Sequence, residues 1–320
     1  MAGELLDRFC GSLLGLAVGD ALGMPVEGMT AEEIRAGPGE VRDMIAPAAD
    51  HFHSGLSPGQ YTDDTEQTLI LAETLIEAGS FDVERFAKRL ASWGRCWTAD
   101  PRMNRGVGWT SKTAIQELLG GMAWREAGVA TPTCGSAMRA APIGLVYHCS
   151  LDLVARYADL QSLPTHSSAA ARAGSVAVAV GVALSILGFA PLRVLEMAAS
   201  ASERVDREFG RRLLLAKELL DLDPPEALAE IGTSPMVGET VPAAFFCYIG
   251  FEPEEALIAA ASAGGDTDTI ASIAGALAGA ARGSEWIPER WLSRLEDRER
   301  IECVAADLAI LAGRVCPGLR

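Results

Sequence analysis

The chain has 320 residues, 49% of them hydrophobic and only 6% aromatic, with 27 basic against 43 acidic side chains and a formal net charge of −16. That length supports one sizeable core, and the charge, with Lys and Arg scattered, argues against a general grip on nucleic-acid phosphates. The cysteines (Cys10, Cys96, Cys134, Cys149, Cys247, Cys303 and Cys316) are odd in number, widely spaced and without a C-x-x-C pair. They therefore read as reduced thiols of a cytoplasmic protein, forming neither a disulfide framework nor a zinc site.

Alanine is frequent and strand-like Val/Ile/Tyr runs are few, so an all-α fold is expected, a single compact orthogonal multi-helix domain over residues 1–320. The first helix, 5–22, carries Gly11, Gly15, Gly19 and, just past its end, Gly23, a glycine ridge on one face against which another backbone is expected to pack. Its start carries Glu4 and Asp7 rather than a positive segment, which argues against a secretory signal. A loop over 37–59 follows, with an H-x-H pair at His51 and His53 that lacks further Cys or His companions nearby.

"YTDDTEQTL" at 61–69 opens the next helix, predicted over 65–77 and stopped by Gly79. Thr62 or Asp63 can cap it, with Glu66 completing a capping box to Asp63. Asp82 caps a helix over 81–97, and further helices are predicted at 111–119, 150–160, 168–188, 191–201, 204–221, 240–250, 253–263, 268–282 and 299–313. Loops are expected at 99–108, 128–135, 221–225 and 232–238, where Pro, Gly and Asp concentrate. The uncharged run Ala173–Leu192 is long enough to cross a membrane, but its Ala, Gly, Ser and Val content reads as a buried central helix, and no membrane partner is expected.

"GGDTDTIASIAGALAGA" at 264–280 places Asp266 and Asp268 in an otherwise small and apolar segment. A cap uses one side chain per helix end, so this cluster and Thr62-Asp63-Asp64 both carry surplus oxygen acceptors. Ionised carboxylates taken out of water cost several kcal/mol each, about what a partner must offset. Four carboxylates with threonine hydroxyls suit Mg²⁺, Mn²⁺ or Ca²⁺ rather than zinc, and a pair of such ions is commonly used for hydrolysis. On an ideal helix Asp268 is rotated from Asp266 by about 200°, so both reach one centre only if Asp266 precedes the regular helix, a bend that Gly264-Gly265 permits.

At these residues the sequence resembles the ADP-ribosylglycohydrolase family. The matching pieces run in the family's order: "GSLLGLAVGDALGMPVEG" (11–28), "YTDDTEQTL" (61–69), "RGVGWTS" (105–111), "CGSAMRAAPIGL" (134–145), "THSSAAARAG" (165–174), "ETVPAAFFCY" (239–248) and the 264–280 segment. The resemblance implies an all-α fold with two Mg²⁺ ions, Mn²⁺ sometimes substituting, on Thr62, Asp63, Asp64, Asp266, Asp268 and Thr269. It implies catalytic roles for Asp63, Asp268 and Glu27, the last lying at the metal-site entrance in relatives; a solvent-facing loop acid is the alternative for Glu27.

The segment of Gly135, Ser136 and Met138 corresponds to the part of the family that offers backbone N–H groups to a diphosphate, and His166 to a histidine that contacts ADP-ribose. A core histidine is the other reading of His166. Thr133 stands where many members have glycine, and Cys134 reads as a packing residue. The implied activity is hydrolysis of the bond between ADP-ribose and an acceptor, a protein side chain first, with a modified base left open. The alternatives are a dinuclear-metal hydrolase of another nucleotide-like substrate and a non-catalytic ADP-ribose binder. Loops 37–59 and 232–238 are the segments expected to distinguish acceptors.

Overall fold

Glycine at every fourth position of the N-terminal helix (Ala2–Gly23) removes the side chains that would hold a neighbour away, and the neighbour is the helix Thr267–Arg282. A Cβ at Gly11 would strike the carbonyl of Gly279, at Gly15 that of Gly275, at Gly19 that of Ala271, and at Gly23 the backbone of Thr267 and Asp268. Ser12 Oγ donates to Ala276 O at 2.9 Å and Thr267 Oγ1 to Gly23 O at 2.9 Å, so hydroxyls stitch the seam without adding bulk. The expected ridge is therefore a backbone-to-backbone contact between the two ends of the chain.

The computed structural model describes residues 2–317, and among them there is no strand, only isolated bridges pairing Val129 with His166 and Thr133 with Met236. The helix Ala169–Ile186 runs through the core, buried at every position from Ala173 onward. It and the N-terminal helix are each long and apolar enough to cross a membrane, but 83% and 94% of their apolar windows are buried inside the fold. Arg8 Nη1 donates to Ser185 O and Ile186 O at the carbonyl end of the central helix, where a cation suits the unpaired carbonyls.

Several expectations shift. The TDDT helix spans Asp63–Ala78, two residues earlier than predicted, with Thr62 as its cap accepting from Asp64 N. The Asp63–Glu66 capping box does not form, because Glu66 turns to Trp93 Nε1 (3.2 Å) and Arg105 (3.7 Å). Asp82 does cap Val83–Ala99, and Gly79 ends the preceding helix at φ 70°. The stretch 204–221 divides into Arg207–Leu213 and Leu215–Glu218. Short helices at Ala31–Ala36, Ala141–Tyr147 and Pro224–Ile231 add to the predicted elements; in the last two, prolines sit in the first turn, where a missing N–H costs nothing.

The cysteine reading also needs correction. Cys149 and Cys316 are joined by a disulfide across 167 positions, tying the end of the helix Arg298–Val315 to the residue after His148. An odd count and wide spacing conceal such a pair, since spacing in sequence says nothing about distance in the fold. Cys10, Cys96, Cys134, Cys247 and Cys303 remain free.

Candidate functional site

Asp20, wholly buried on the N-terminal helix, organises the first acidic cluster. Its Oδ1 accepts from Thr62 N at 2.9 Å, and its Oδ2 accepts from Thr65 N at 3.0 Å and Thr65 Oγ1 at 2.6 Å. These bonds hold the first turn of Asp63–Ala78 so that Asp63 and Asp64 project into one cavity, beside the positive end of the helix dipole. Gln67 Nε2 donates to Asp63 Oδ2 at 2.6 Å, whereas Asp64 Oδ2 is buried without any partner.

The second cluster is set by a glycine bend. Gly264 and Gly265 lie at φ 80° and 72°, and Cβ atoms there would collide with Ala31 N and Thr233 O. Gly265 N donates to Met29 O (2.8 Å), Gly28 N to Gly265 O (2.7 Å) and Asp266 N to Thr233 O (2.7 Å), so the bend is clamped on both sides. The helix begins at Thr267, and Asp266, at φ −85° and ψ 57°, caps nothing with its side chain. Asp266 Oδ2 instead meets Thr240 Oγ1 (2.8 Å) and Cys134 Sγ (3.1 Å). Asp268 Oδ1 accepts from Thr269 N (2.9 Å), and Asp268 Oδ2 lies 3.4 Å from Thr62 Oγ1. The two clusters thus meet.

Glu27 follows the 3₁₀ turn Met24–Val26 and faces the same cavity. His53 Nε2 lies 2.6 Å from Glu27 Oε2, and His51 Nε2 lies 2.8 Å from Glu27 O. His51 Nδ1 accepts from His53 N (3.1 Å), so its proton sits on Nε2 and is donated to the Glu27 carbonyl. One ligand atom each from Glu27, His53 and Asp268 falls within a 4.8 Å group. Burial, then its neighbour His51, lowers His53 to about 4, leaving the ring neutral at ordinary pH.

The facing wall of this cavity, about 310 Å³, includes Trp109, Gly135, Met138 and His166. His166 is wholly buried but its ring packs on Gly135, where a Cβ would come within 2.8 Å of Cε1. It thus has both a core histidine's burial and an edge on the cavity. Burial, then Arg139, lowers it to about 3. Its Nδ1 is 2.8 Å from Thr165 Oγ1, which accepts from Arg139 Nη2 at 2.7 Å; Arg139 Nη1 donates to Gln67 Oε1. A buried network thus connects Asp63 to His166.

Ser136 differs from its neighbours: its hydroxyl turns into the core, bonded with Ser162 (2.6 Å) and Ser175 (2.9 Å), its carbonyl accepts from Gln161, and it does not line the cavity. Thr133 keeps a negative φ, so the missing family glycine imposes no strain here. Asp20, Gln67, Arg139 and Thr240 fall within the segments that carry the resemblance and His53 within the H-x-H pair, but none of those patterns gives them a role in the site. Only Asp20, the single charge between Arg8 and Glu27, carries a signal in the sequence.

Burial and mutual repulsion raise the whole carboxylate set. Asp63 is pushed up to about 8 by burial, then by Glu66, Asp20 and Asp266. Asp64, Asp268 and Glu27 are driven well above the usual carboxylate range by burial first and then by neighbouring acids, whereas burial alone raises Asp266. Among the described residues no Lys or Arg makes an ion pair with Asp20, Asp63, Asp64, Asp266 or Asp268. Uncompensated oxygens at this density, with Asp64 Oδ2 unpartnered, are a donor set that fits a divalent cation.

A larger cavity, about 750 Å³, lies behind the Gly264-Gly265 bend against Leu228, Phe251 and Ala259. It has none of the carboxylates Glu27, Asp63, Asp64, Asp266 and Asp268, which all face the smaller one.

The family model described as ADP-ribosylglycohydrolase matches residues 1–318. An uncharacterized protein of Archaeoglobus fulgidus is 45% identical over 97% of this chain and 98% of its own length. The ADP-ribosylarginine hydrolase Tri1 of Serratia proteamaculans is 30% identical over 97% of this chain and 81% of its own. A solved structure, an ADP-ribosylglycohydrolase-related protein complex, superposes with a TM-score of 0.72 at 30% identity, covering 97% of this chain and 99% of that one. With the acidic clusters joined on this helical frame and the match running almost end to end, the chain belongs to the ADP-ribosylglycohydrolase family.

Proposed function

We propose that the protein is a divalent-cation-dependent hydrolase that releases ADP-ribose from an acceptor, a protein side chain first among them. The observation that carries this reading is the convergence of two distant carboxylate–threonine clusters, none of whose carboxylates is ion-paired with a Lys or Arg among the described residues, in a chain of this family. The names of two relatives, ADP-ribosylarginine hydrolase and ADP-ribosylhydrolase, support it.

Thr62, Asp63, Asp64, Asp266, Asp268 and Thr269 would hold two cations, Mg²⁺ with Mn²⁺ as a substitute. When bound, the cations supply electrophilic stabilisation of oxygens in the cleft. Asp63 and Asp268 orient the distal ribose, Asp63 fixed by Gln67 and Asp268 by Thr269 N. Glu27, partly open to solvent at the rim, moves the proton that the leaving acceptor gains or the attacking water loses, as the ring takes on oxocarbenium character. The Gly135 backbone, which lines the cavity ahead of Ser136, accommodates the diphosphate, while Met138 and His166 wall the nucleotide side.

Incubation with Mg²⁺ and arginine-, serine- or nucleobase-linked ADP-ribose, followed by assay of free ADP-ribose, tests this. Release from one linkage is the expected result and identifies the acceptor. No release from any of them, with cation binding intact, overturns the reading.

A further inference from the structure

Trp109 is 67% exposed, the one tryptophan among the exposed large apolar side chains of the described residues, and it lines the acidic cavity. A single apolar side chain on a surface is ordinary, but this one shares a cavity wall with Glu27, Asp63 and Asp268 and so meets whatever enters. Among the described residues no cation and no second ring stacks on it. Trp124 and Trp291, by contrast, lie under Arg125 and Arg290, and Trp93 pairs with Trp97.

The chain that carries Trp109 is fixed from the acidic side. Asp63 N donates to Arg105 O (3.0 Å), and Gly106, at φ 91°, lies against the ring of His53, whose Nε2 is 2.6 Å from Glu27 Oε2. Val107 N donates to Asn104 Oδ1 (3.0 Å), Lys112 N to Gly108 O (2.9 Å) and Thr133 Oγ1 to Thr110 Oγ1 (3.0 Å). Trp109, first residue of the helix Trp109–Leu119, is thus mounted by a segment anchored beside Asp63 and Glu27. With Met138 and His166 on the nucleotide side, that is the side on which the acceptor leaves. An indole has only two side-chain torsions, so holding it as a platform costs little entropy.

The surrounding charge decides what the platform recognises. The chain carries a net −16, Glu27 is 21% exposed at the rim, and no Lys or Arg is among the residues lining the cavity. A planar cation suits such a mouth, because a guanidinium stacks on an aromatic face and bonds to a carboxylate in its own plane. A serine acceptor offers the ring neither charge nor a plane. We propose that Trp109 is a specificity-determining residue, stacking on the guanidinium of an arginine acceptor beside Glu27, so that the protein prefers arginine-linked ADP-ribose. This rests on the hydrolase reading.

The test is steady-state release of ADP-ribose by the full chain with Mg²⁺ from arginine-, serine- and nucleobase-linked substrates, with free ADP-ribose as a competitor that lacks any acceptor. The wild type is expected to have its highest kcat/KM on the arginine linkage. Trp109→Ala raises KM for that substrate about tenfold and alters kcat much less, and Trp109→Phe, which keeps a π face, retains most of the affinity. The inhibition constant of free ADP-ribose moves by less than about twofold in either variant. A KM unchanged in Trp109→Ala, an ADP-ribose inhibition constant that weakens in step with KM, or a wild-type preference for another linkage overturns this assignment and leaves the hydrolase reading standing. No release from any of the three overturns both.

Discussion

The two acidic clusters have nearly the same composition and open similar helices, yet they are braced by opposite means. Asp63 and Asp64 rest on polar groups: Asp20 below, Gln67 beside, and behind Gln67 the buried guanidinium of Arg139. Asp266 and Asp268 rest on shape: a two-glycine bend clamped between Met29 and Thr233, a hydroxyl, a thiol, and the glycine seam beneath the helix. Polar bracing tolerates no missing partner, whereas bracing by shape tolerates no added atom.

The largest effect comes from removing a carboxylate on either side. Asp64→Asn and Asp268→Asn should each lower kcat/KM for ADP-ribose release by about 10³-fold and abolish cation binding by calorimetry. A variant on one side that keeps both would break the pairing of the clusters.

Arg139→Met isolates the polar bracing. It leaves Gln67 Oε1, Gln161 Oε1 and Thr165 Oγ1 without their buried donor, and should cost about 3 kcal/mol in denaturant unfolding. An unchanged midpoint would assign the support of Asp63 to the helix terminus alone.

In cation-free protein, Asp63 at about 8 and Asp20 at about 6 both lie above the usual 3.8. The folded state therefore binds more protons than the unfolded one across that window. Their contribution is fully present below about pH 4 and is lost as pH rises through about 6 for Asp20 and about 8 for Asp63. With chelator present, the melting temperature should fall by several degrees between pH 5 and 8, and saturating Mg²⁺ should flatten that slope. A melting temperature that rises over this window without cation would contradict it.

The smallest effect sharpens the other side of the comparison. Thr240→Val keeps the volume near Asp266 but removes one donor, costing about 1 kcal/mol in stability. A loss as large as that of Arg139→Met would show that the second cluster depends on polar support after all.

What is legible in the sequence follows the same division. TDDT and GGDTDT are dense local patterns, and the glycine ridge has a helical period, so both can be read from the order of residues alone. Whether the clusters meet depends on a seam between residues 244 positions apart, which no local pattern encodes. His53, Gln67, Arg139 and Thr240 are single ordinary residues whose significance lies in what stands opposite them. Pro224-Pro225 reads as a break and instead starts a helix, and Ala141–Tyr147 is too evenly apolar for a period to emerge. Ser136 shares the motif but faces the core, because adjacent residues in a turn point in different directions.

The seam also imposes an order of assembly. Gly23 leaves synthesis early, and its partner Thr267 only near the end, so the N-terminal helix must wait, apolar and glycine-lined, for most of the chain to be made. The first acidic cluster is complete by residue 64, but the centre it belongs to cannot exist until residue 269 has emerged. The proposed cation binding therefore needs a chain grown past residue 269, and a shorter nascent or truncated form would hold its first carboxylates without the second cluster.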